Sequence, residues 1–189
     1  MERMGAIVEA TKRLLEKMEA SAISTTLVAS EAGVPIGSVY RYFPHIEAIY
    51  GAIFTEFRDV SDELITTEIA KPETEWRDSF PTVFMELRRI LQENPAFEAV
   101  FVLAMSNDEL AKVRIAWNQH IAELLKQRWR IGCDRFSGGN PDIVARMTIE
   151  IFSTAESLIV QHKDEPGKHE ELFAEALVML EAYLSKYLH

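Results

Sequence analysis

The stretch STTLVASEAGVPIGSVYRYFPHIE, residues 24–47, decides the fold. Ser24 is placed to cap a short helix that Gly33 closes, and Pro35 opens a second short helix that stops before Phe43-Pro44. Two such helices meet at a sharp angle when the first carries a small residue at the crossing and the turn carries a residue that takes positive φ at low cost. Ala29 and Gly33 supply these. Val28, Ala32, Val34 and Val39 then fall on the inner contact positions, leaving Gly37, Ser38, Tyr40, Arg41 and Tyr42 on the outer side of a very short helix. This is helix-turn-helix geometry, with the outer side free to enter a major groove.

Outward from this stretch the apolar spacing stays helical, and no segment alternates like a strand between hairpin turns. The chain reads as all-α. Before the stretch, Ile7, Thr11, Leu14, Leu15 and Met18 recur at three- and four-residue steps, so a first helix buries one face. After it, a fourth helix is expected from about His45 to the mid-60s, broken at Lys71-Pro72, then one from about Thr74 to Asn94 bent by Pro81. Two more follow over Pro95 to Ser106 and Asp108 to about Arg130, and the cluster Ser137-Gly138-Gly139-Asn140-Pro141 starts another. The last runs beyond Gly167 through Leu172, Leu180, Leu184, Tyr187 and Leu188. These elements divide into a helix-turn-helix unit, residues 1–46, and a larger helical domain, residues 47–189.

Composition narrows the functional classes. The 189 residues include 48% hydrophobic and 26% charged side chains, which suits a globular chain with a real core. The longest apolar run, Ala99 to Met105, is far short of a membrane span, and the first residues are too charged for a signal peptide, so a cytoplasmic protein is expected. The single Cys133 offers no internal disulfide and no cysteine-based metal site. A net charge of −10 disfavours coating nucleic acid without regard to sequence. The acidity lies downstream, however: residues 1–55 carry Arg3, Lys12, Arg13, Lys17 and Arg41 against six glutamates.

The side chains of the stretch suit duplex DNA. Ser38 and Arg41 can hydrogen-bond base edges or phosphates, Gly37 permits close approach, and the Tyr40 and Tyr42 hydroxyls can donate to phosphate oxygens. Thr25 and Thr26 add hydroxyls and backbone amides in the first turn of the preceding helix. The string AGVPIGSVYRYFP, after an amphipathic first helix and before Glu47-Ala48-Ile49, resembles the DNA-binding domain of the TetR family of bacterial transcriptional regulators. The detailed match covers roughly residues 4–55, and the remainder matches in architecture. The resemblance implies that Thr25, Thr26, Pro35, Gly37, Ser38, Tyr40 and Tyr42 face DNA, while Arg41 sits where members vary. Ile46 stands where the family commonly has Lys, so His45 is the substitute phosphate contact. Glu19 replaces the glycine that usually closes the first helix, and the basic arm ahead of it is reduced to Arg3. Few cations imply a shallow salt dependence of DNA binding.

The last two helices carry more apolar surface than one face needs. Met147, Ile151, Ala155 and Leu158 on one, with Phe173, Leu177, Leu180 and Leu184 on the other, can pair with their copies about a two-fold axis. A homodimer is also what the resemblance implies, as is a pocket for a small-molecule effector. The candidates to line it are Phe84, Phe101, Met105, Trp117 and His120, with Asn118 or His120 orienting the ligand. Catalytic and metal-ligating patterns are absent: no Glu-x-x-His occurs, Cys133 has no activating base nearby in sequence, and His162, Asp164, Glu165, His169 and Glu170 read as a solvated acidic loop. No cofactor is implied. The sequence thus points to a cytoplasmic, homodimeric, ligand-responsive regulator of double-stranded operator DNA, most simply a repressor, and not to a membrane protein. The competing class is a helical enzyme or small-molecule carrier with a degenerate helix-turn-helix, favoured by the near-neutral first 55 residues.

Overall fold

Helix punctuation in the sequence becomes helix boundaries in space. In the computed structural model, which describes residues 2–69, 71, 74–162, 165 and 167–189, the described residues form nine α-helices. These are α1 (Glu2–Leu15), α2 (Thr25–Ala32), α3 (Ile36–Tyr42), α4 (Ile46–Ile69), α5 (Trp76–Glu93), α6 (Pro95–Ser106), α7 (Asp108–Arg130), α8 (Pro141–Gln161) and α9 (Lys168–Leu184). Two short 3₁₀ turns, Ala20–Ala22 and Cys133–Arg135, complete the regular structure. Pro95 and Pro141 open α6 and α8, where a missing N–H costs nothing, and Asn140 caps α8 by accepting from the Asp142 N–H at 2.9 Å. Pro81 lies inside α5 without ending it. Pro72 and Asp164, which the sequence places at chain breaks, lie outside the described residues. No helix among the described residues is long and apolar enough to cross a membrane.

Two ends differ from the sequence expectation. Met18 lies past the end of α1 and is 37% exposed, because the Lys17 and Met18 amides close back on the Leu14 carbonyl and the chain leaves the helical path. Tyr187 and Leu188 lie beyond α9. There the Ser137 amide donates to the Tyr187 carbonyl and the His189 amide to the Asp134 carbonyl, at 2.8 and 2.9 Å, so the terminal residues close a loop instead of extending the helix.

The chain forms two compact units. The first comprises Met1–Asp59 and Ile90–Val113, and the second Val60–Arg89 and Arg114–His189. In the first, Ile7, Val28, Val39, Ile49, Ile53 and Phe54 are fully buried, and Phe57 contacts Phe97 and Phe101 at ring separations of 5.8 and 5.9 Å. The Tyr50 hydroxyl donates to the Ala20 carbonyl at 2.8 Å, tying α4 to the 3₁₀ turn; burial and then nearby Glu47 push the phenol up to about 12.

The second unit buries charges of opposite character, Arg128 and Glu156. Arg128 is satisfied at all five N–H groups. It donates to both Asp134 carboxylate oxygens at 2.6 and 2.7 Å and to the carbonyls of Ile69, Lys71 and Thr74 at 3.0, 2.6 and 2.6 Å. Both side chains are 2% exposed, and Asp134 is held at a φ of 60°, a conformation that costs a non-glycine residue energy and persists only where surrounding bonds over-determine it. Glu156 of α8 is the opposite case. It is 1% exposed, and neither carboxylate oxygen finds a hydrogen-bond partner among the described residues. Burial pushes its carboxyl up from 4.5 to about 7, against the opposing field of Arg88.

A carboxyl whose pKa is higher folded than unfolded costs nothing below about 4.5, where both states are protonated. The cost grows as pH rises toward about 7 and is complete above it. Glu156→Gln, of the same shape without the ionisation, should therefore match the parent near pH 4 and exceed it by about 3 kcal/mol at pH 8. Urea denaturation of both proteins across that range measures the difference, and parallel pH profiles would refute it.

Candidate functional site

The outer face of α3 is built by what its inner face must bury. Ser24 accepts from the Leu27 amide at 3.2 Å and fixes the start of α2. Gly33 ends it at a φ of 65°, its amide bonding back to the Ala29 and Ser30 carbonyls, with the Val34 amide also donating to Ala29 at 3.0 Å. A side chain at Gly33 would meet the left-handed backbone penalty whatever space surrounded it. Pro35 then caps α3, accepting from the Ser38 amide at 2.8 Å. Val39 is fully buried, with Val28 and Ala29 of α2 buried beside the turn, while Ala32 and Val34 are half-buried.

This arrangement leaves Pro35, Ile36, Gly37, Tyr40, Arg41 and Tyr42 exposed and Ser38 half-buried. Tyr40 is 54% exposed, and its hydroxyl lies 3.0 Å from the Thr25 hydroxyl, which joins the first turn of α2 to the outer face of α3. Thr26 is exposed beside it. The sequence-predicted residues Thr25, Thr26, Pro35, Gly37, Ser38, Tyr40, Arg41 and Tyr42 thus all lie on α2, α3 and the turn between them. Gly37 is informative in another way. A Cβ built there meets nothing within 4 Å, so no packing inside the unit requires glycine, although glycine in a helix is entropically costly. The missing side chain keeps this outer surface low.

Charge on this surface is sparse. Lys12 is paired with Glu56 and, at 2.8 Å, with Glu9; its burial works against protonation, but these carboxylates raise its pKa on balance. Arg13 bonds Glu31 at 3.0 Å, which lowers that carboxyl below its ordinary range, with Lys17 helping. Arg41 makes no ion pair among the described residues; its guanidinium sits 5.9 Å from the Tyr42 ring. His45 sits at the mouth of α4 between two acids, Nδ1 at 3.2 Å from Glu47 and Nε2 at 3.4 Å from Glu109, so it reaches a phosphate only by giving one of them up. Glu109, distant in sequence, was not legible as its neighbour.

The other sequence-predicted groups are distributed differently. Phe101 and Met105 belong to the first unit, Phe101 packing on Phe57. Phe84, Trp117 and His120 belong to the second, where Phe84 packs on Phe152 and Phe173 while His120 is exposed and faces Asp62 at 3.2 Å. Asn118 is buried and accepts from Ser153 at 3.4 Å, its own Nδ2 without a partner among the described residues. Glu156, missed in the sequence, had one signal: an acid one turn after Phe152, on the same side of the helix as an apolar residue. On α8 and α9, Met147 and Leu158 are exposed, Ile151, Ala155, Phe173 and Leu177 half-buried, and Leu180 and Leu184 buried within the unit. Ile143, Val178 and Met179 of the same two helices are exposed as well. Among the described residues, no three His, Cys, Asp or Glu side chains gather as a metal site.

Residues 7–53 match the family model described as bacterial regulatory proteins, tetR family. Over nearly its whole length the chain shares the fold of a TetR-family transcriptional regulator from Streptomyces coelicolor, with a TM-score of 0.71 and 26% identity over 98% of this chain and 99% of that one. It is also similar to SmeT, the repressor of the Stenotrophomonas maltophilia multidrug efflux pump SmeDEF (TM-score 0.74, 16% identity, 98% and 90% covered). NalD, the secondary repressor of the MexAB-OprM multidrug efflux pump in Pseudomonas aeruginosa, is a third (TM-score 0.72, 18% identity, 100% and 96% covered). No curated protein sequence matches this chain.

Gly37→Ala separates stability from recognition. It should stabilise the fold by about 0.5–1 kcal/mol, because alanine is the better helix former and meets open space. It should also weaken duplex DNA binding about tenfold, by holding the groove off the α3 backbone. Thermal melts and fluorescence anisotropy on one preparation read both effects, and a variant that is more stable yet binds as well as the parent would refute the assignment.

Proposed function

From the match of residues 7–53 to the tetR family model, we propose that this chain is a homodimeric repressor that binds double-stranded operator DNA and is released by a small, largely apolar effector. The observation that carries the reading is the outer face of α3. Exposed Tyr40 and Tyr42, unpaired Arg41 and a glycine without an internal packing reason lie together on a helix held from behind by Val39. Tyr40 and Thr25 position against phosphates, while Ser38 and Arg41 are the groups able to read base edges. The chain also shares its fold with proteins that are repressors of efflux pumps, which supports the repressor reading.

Two copies are needed because a single short recognition helix covers one half-site. The dimer surface falls on the open apolar side of α8 and α9, where Ile143, Met147, Leu158, Val178 and Met179 are 43–61% exposed. Half-buried Ile151, Ala155 and Leu177 border it, and Leu180 and Leu184 support it from beneath. Effector binding shifts DNA affinity only as far as the effector prefers one arrangement of the dimer over another. α4 contributes residues to both compact units and is the element that carries the change.

Anisotropy with duplex DNA flanking the protein's own gene tests the reading. The Ser38→Ala, Tyr42→Ala double variant should lose at least about tenfold in affinity, and the parent's salt slope should correspond to few phosphates, at about 0.9 per phosphate. Retained binding by the double variant, or a slope as steep as that of a heavily basic repressor, would overturn the site. Leu158→Glu combined with Val178→Glu should leave the protomer folded by circular dichroism but monomeric in sedimentation velocity. A dimer that survives both carboxylates would place the interface elsewhere.

A further inference from the structure

Buried polar atoms without partners are few in a folded protein, and each calls for a reason. In the second unit Glu156 stands out, since an unpartnered carboxylate costs far more than an unpartnered hydroxyl, and a glutamine or a leucine would serve a purely structural role better. Its surroundings can be placed from the contacts around it. Phe84 and Arg88 are one turn apart on α5, as Phe152 and Glu156 are on α8, and the Phe84 and Phe152 rings are in direct contact. That ring contact brings α5 and α8 together one turn from Glu156, and Arg88 is close enough for its field to act on the carboxylate. Phe173 of α9 completes the cluster, meeting Phe84 edge-on at 5.8 Å.

Arg88 does not satisfy the carboxylate. Its guanidinium lies over the Phe173 ring at 4.9 Å from the centroid and donates to the His169 carbonyl at 3.5 Å. The cluster thus already seats one cation on an aromatic face while leaving an acid unmatched. His169 Nδ1 is also without a hydrogen-bond partner among the described residues. A single carboxylate with aromatic neighbours is a poor site for a metal ion, which needs several oxygen or nitrogen ligands, and a poor one for an anion, which it repels. Its complement is a nitrogen cation that brings its own N–H donors and an apolar body to lie on the rings.

We infer that Glu156 is the charge-recognising residue of an effector subsite for an organic cation, an ammonium group paired with its carboxylate and an aromatic or aliphatic body packed against Phe84 and Phe152. This rests on the effector-binding reading above and names the chemical class of the effector. The ligand displaces no existing partner of Glu156, so the full strength of a charge-assisted hydrogen bond in a water-poor setting is available to it. Asn118, Ser153 and Ser157, buried on α7 and α8, offer the same unit further polar groups for orientation.

The test uses three probes of one shape and different charge: phenylbutylamine, phenylbutanol and phenylbutyrate. Each is titrated calorimetrically into the full-length protein at pH 8. The amine should bind about tenfold more tightly than the alcohol, and the carboxylate most weakly. Glu156→Gln, which keeps the side-chain shape, should erase the advantage of the amine while leaving the affinity for the alcohol within about twofold. Arg88→Gln, which removes the like charge, should tighten the amine, a gain that a merely structural role for the cluster would not produce. Equal binding of amine and alcohol, preference for the carboxylate, absence of binding by all three, or a charge preference that survives Glu156→Gln would each overturn the assignment. The same amine added to the anisotropy assay separates this inference from the one before it. Binding to Glu156 without any effect on DNA affinity would refute the repressor mechanism and leave the cation site standing.

Discussion

A helix of seven residues cannot persist alone in water, because nucleation costs more than two turns of hydrogen bonding return. α3 exists because Val39 is fully buried and because Gly33 and Pro35 set the chain direction on either side of Val34. Everything functional about the first unit depends on that constraint. With the inner face committed to the core, the outer face need not contribute to folding, and it is filled with residues that make little sense structurally: exposed tyrosines, an exposed isoleucine and a glycine facing open space. The Tyr40–Thr25 hydroxyl pair adds a second tie between α2 and α3, made on the outside, so the two helices of the proposed DNA-binding face are coupled through a group that is itself a candidate contact.

Arg128 and Glu156 in the second unit show how the same physics yields opposite roles. Arg128 is surrounded by acceptors for every donor it has, and the cost of dehydrating it is offset by five hydrogen bonds, two of them to a carboxylate. The result is a fixed joint between the end of α7 and the chain between α4 and α5, tight enough to hold Asp134 in a left-handed backbone conformation. Glu156 is dehydrated without any such compensation, and its raised pKa is the measure of what is missing. A satisfied charge holds a structure together; an unsatisfied one costs stability that the rest of the fold must offset.

Electrostatics also bears on the proposed DNA recognition. In the first unit Lys12 and Arg13 are spent on Glu9, Glu56 and Glu31, and His45 sits between Glu47 and Glu109. On the proposed reading, DNA affinity comes from shape, hydroxyl groups and the few cations left open, of which Arg41 is the one on α3. Such a surface gains little from counterion release and depends on close fit, which is consistent with a glycine at position 37.

The helical periods, the proline and glycine punctuation and the Ser24–Glu47 stretch determined the all-α fold and most helix boundaries, because capping and steric breaking act within a few residues. Pro95, Pro141 and Gly33 mark ends in space as they do in sequence. The same local logic placed Gly37, Tyr40, Arg41 and Tyr42 outward, since one buried position on a two-turn helix fixes all the others. What lies between distant segments was decided only by tertiary structure. Local spacing could not reveal that His45 meets Glu109, that Leu180 and Leu184 turn inward while Val178 and Met179 stay open, or that Phe101 and Phe84 belong to different compact units. Nor could it separate Arg128 from Glu156. Each is a charged residue on an amphipathic helix, and whether partners await it depends on which remote helices pack against that face, a matter of long-range packing to which helical period is blind.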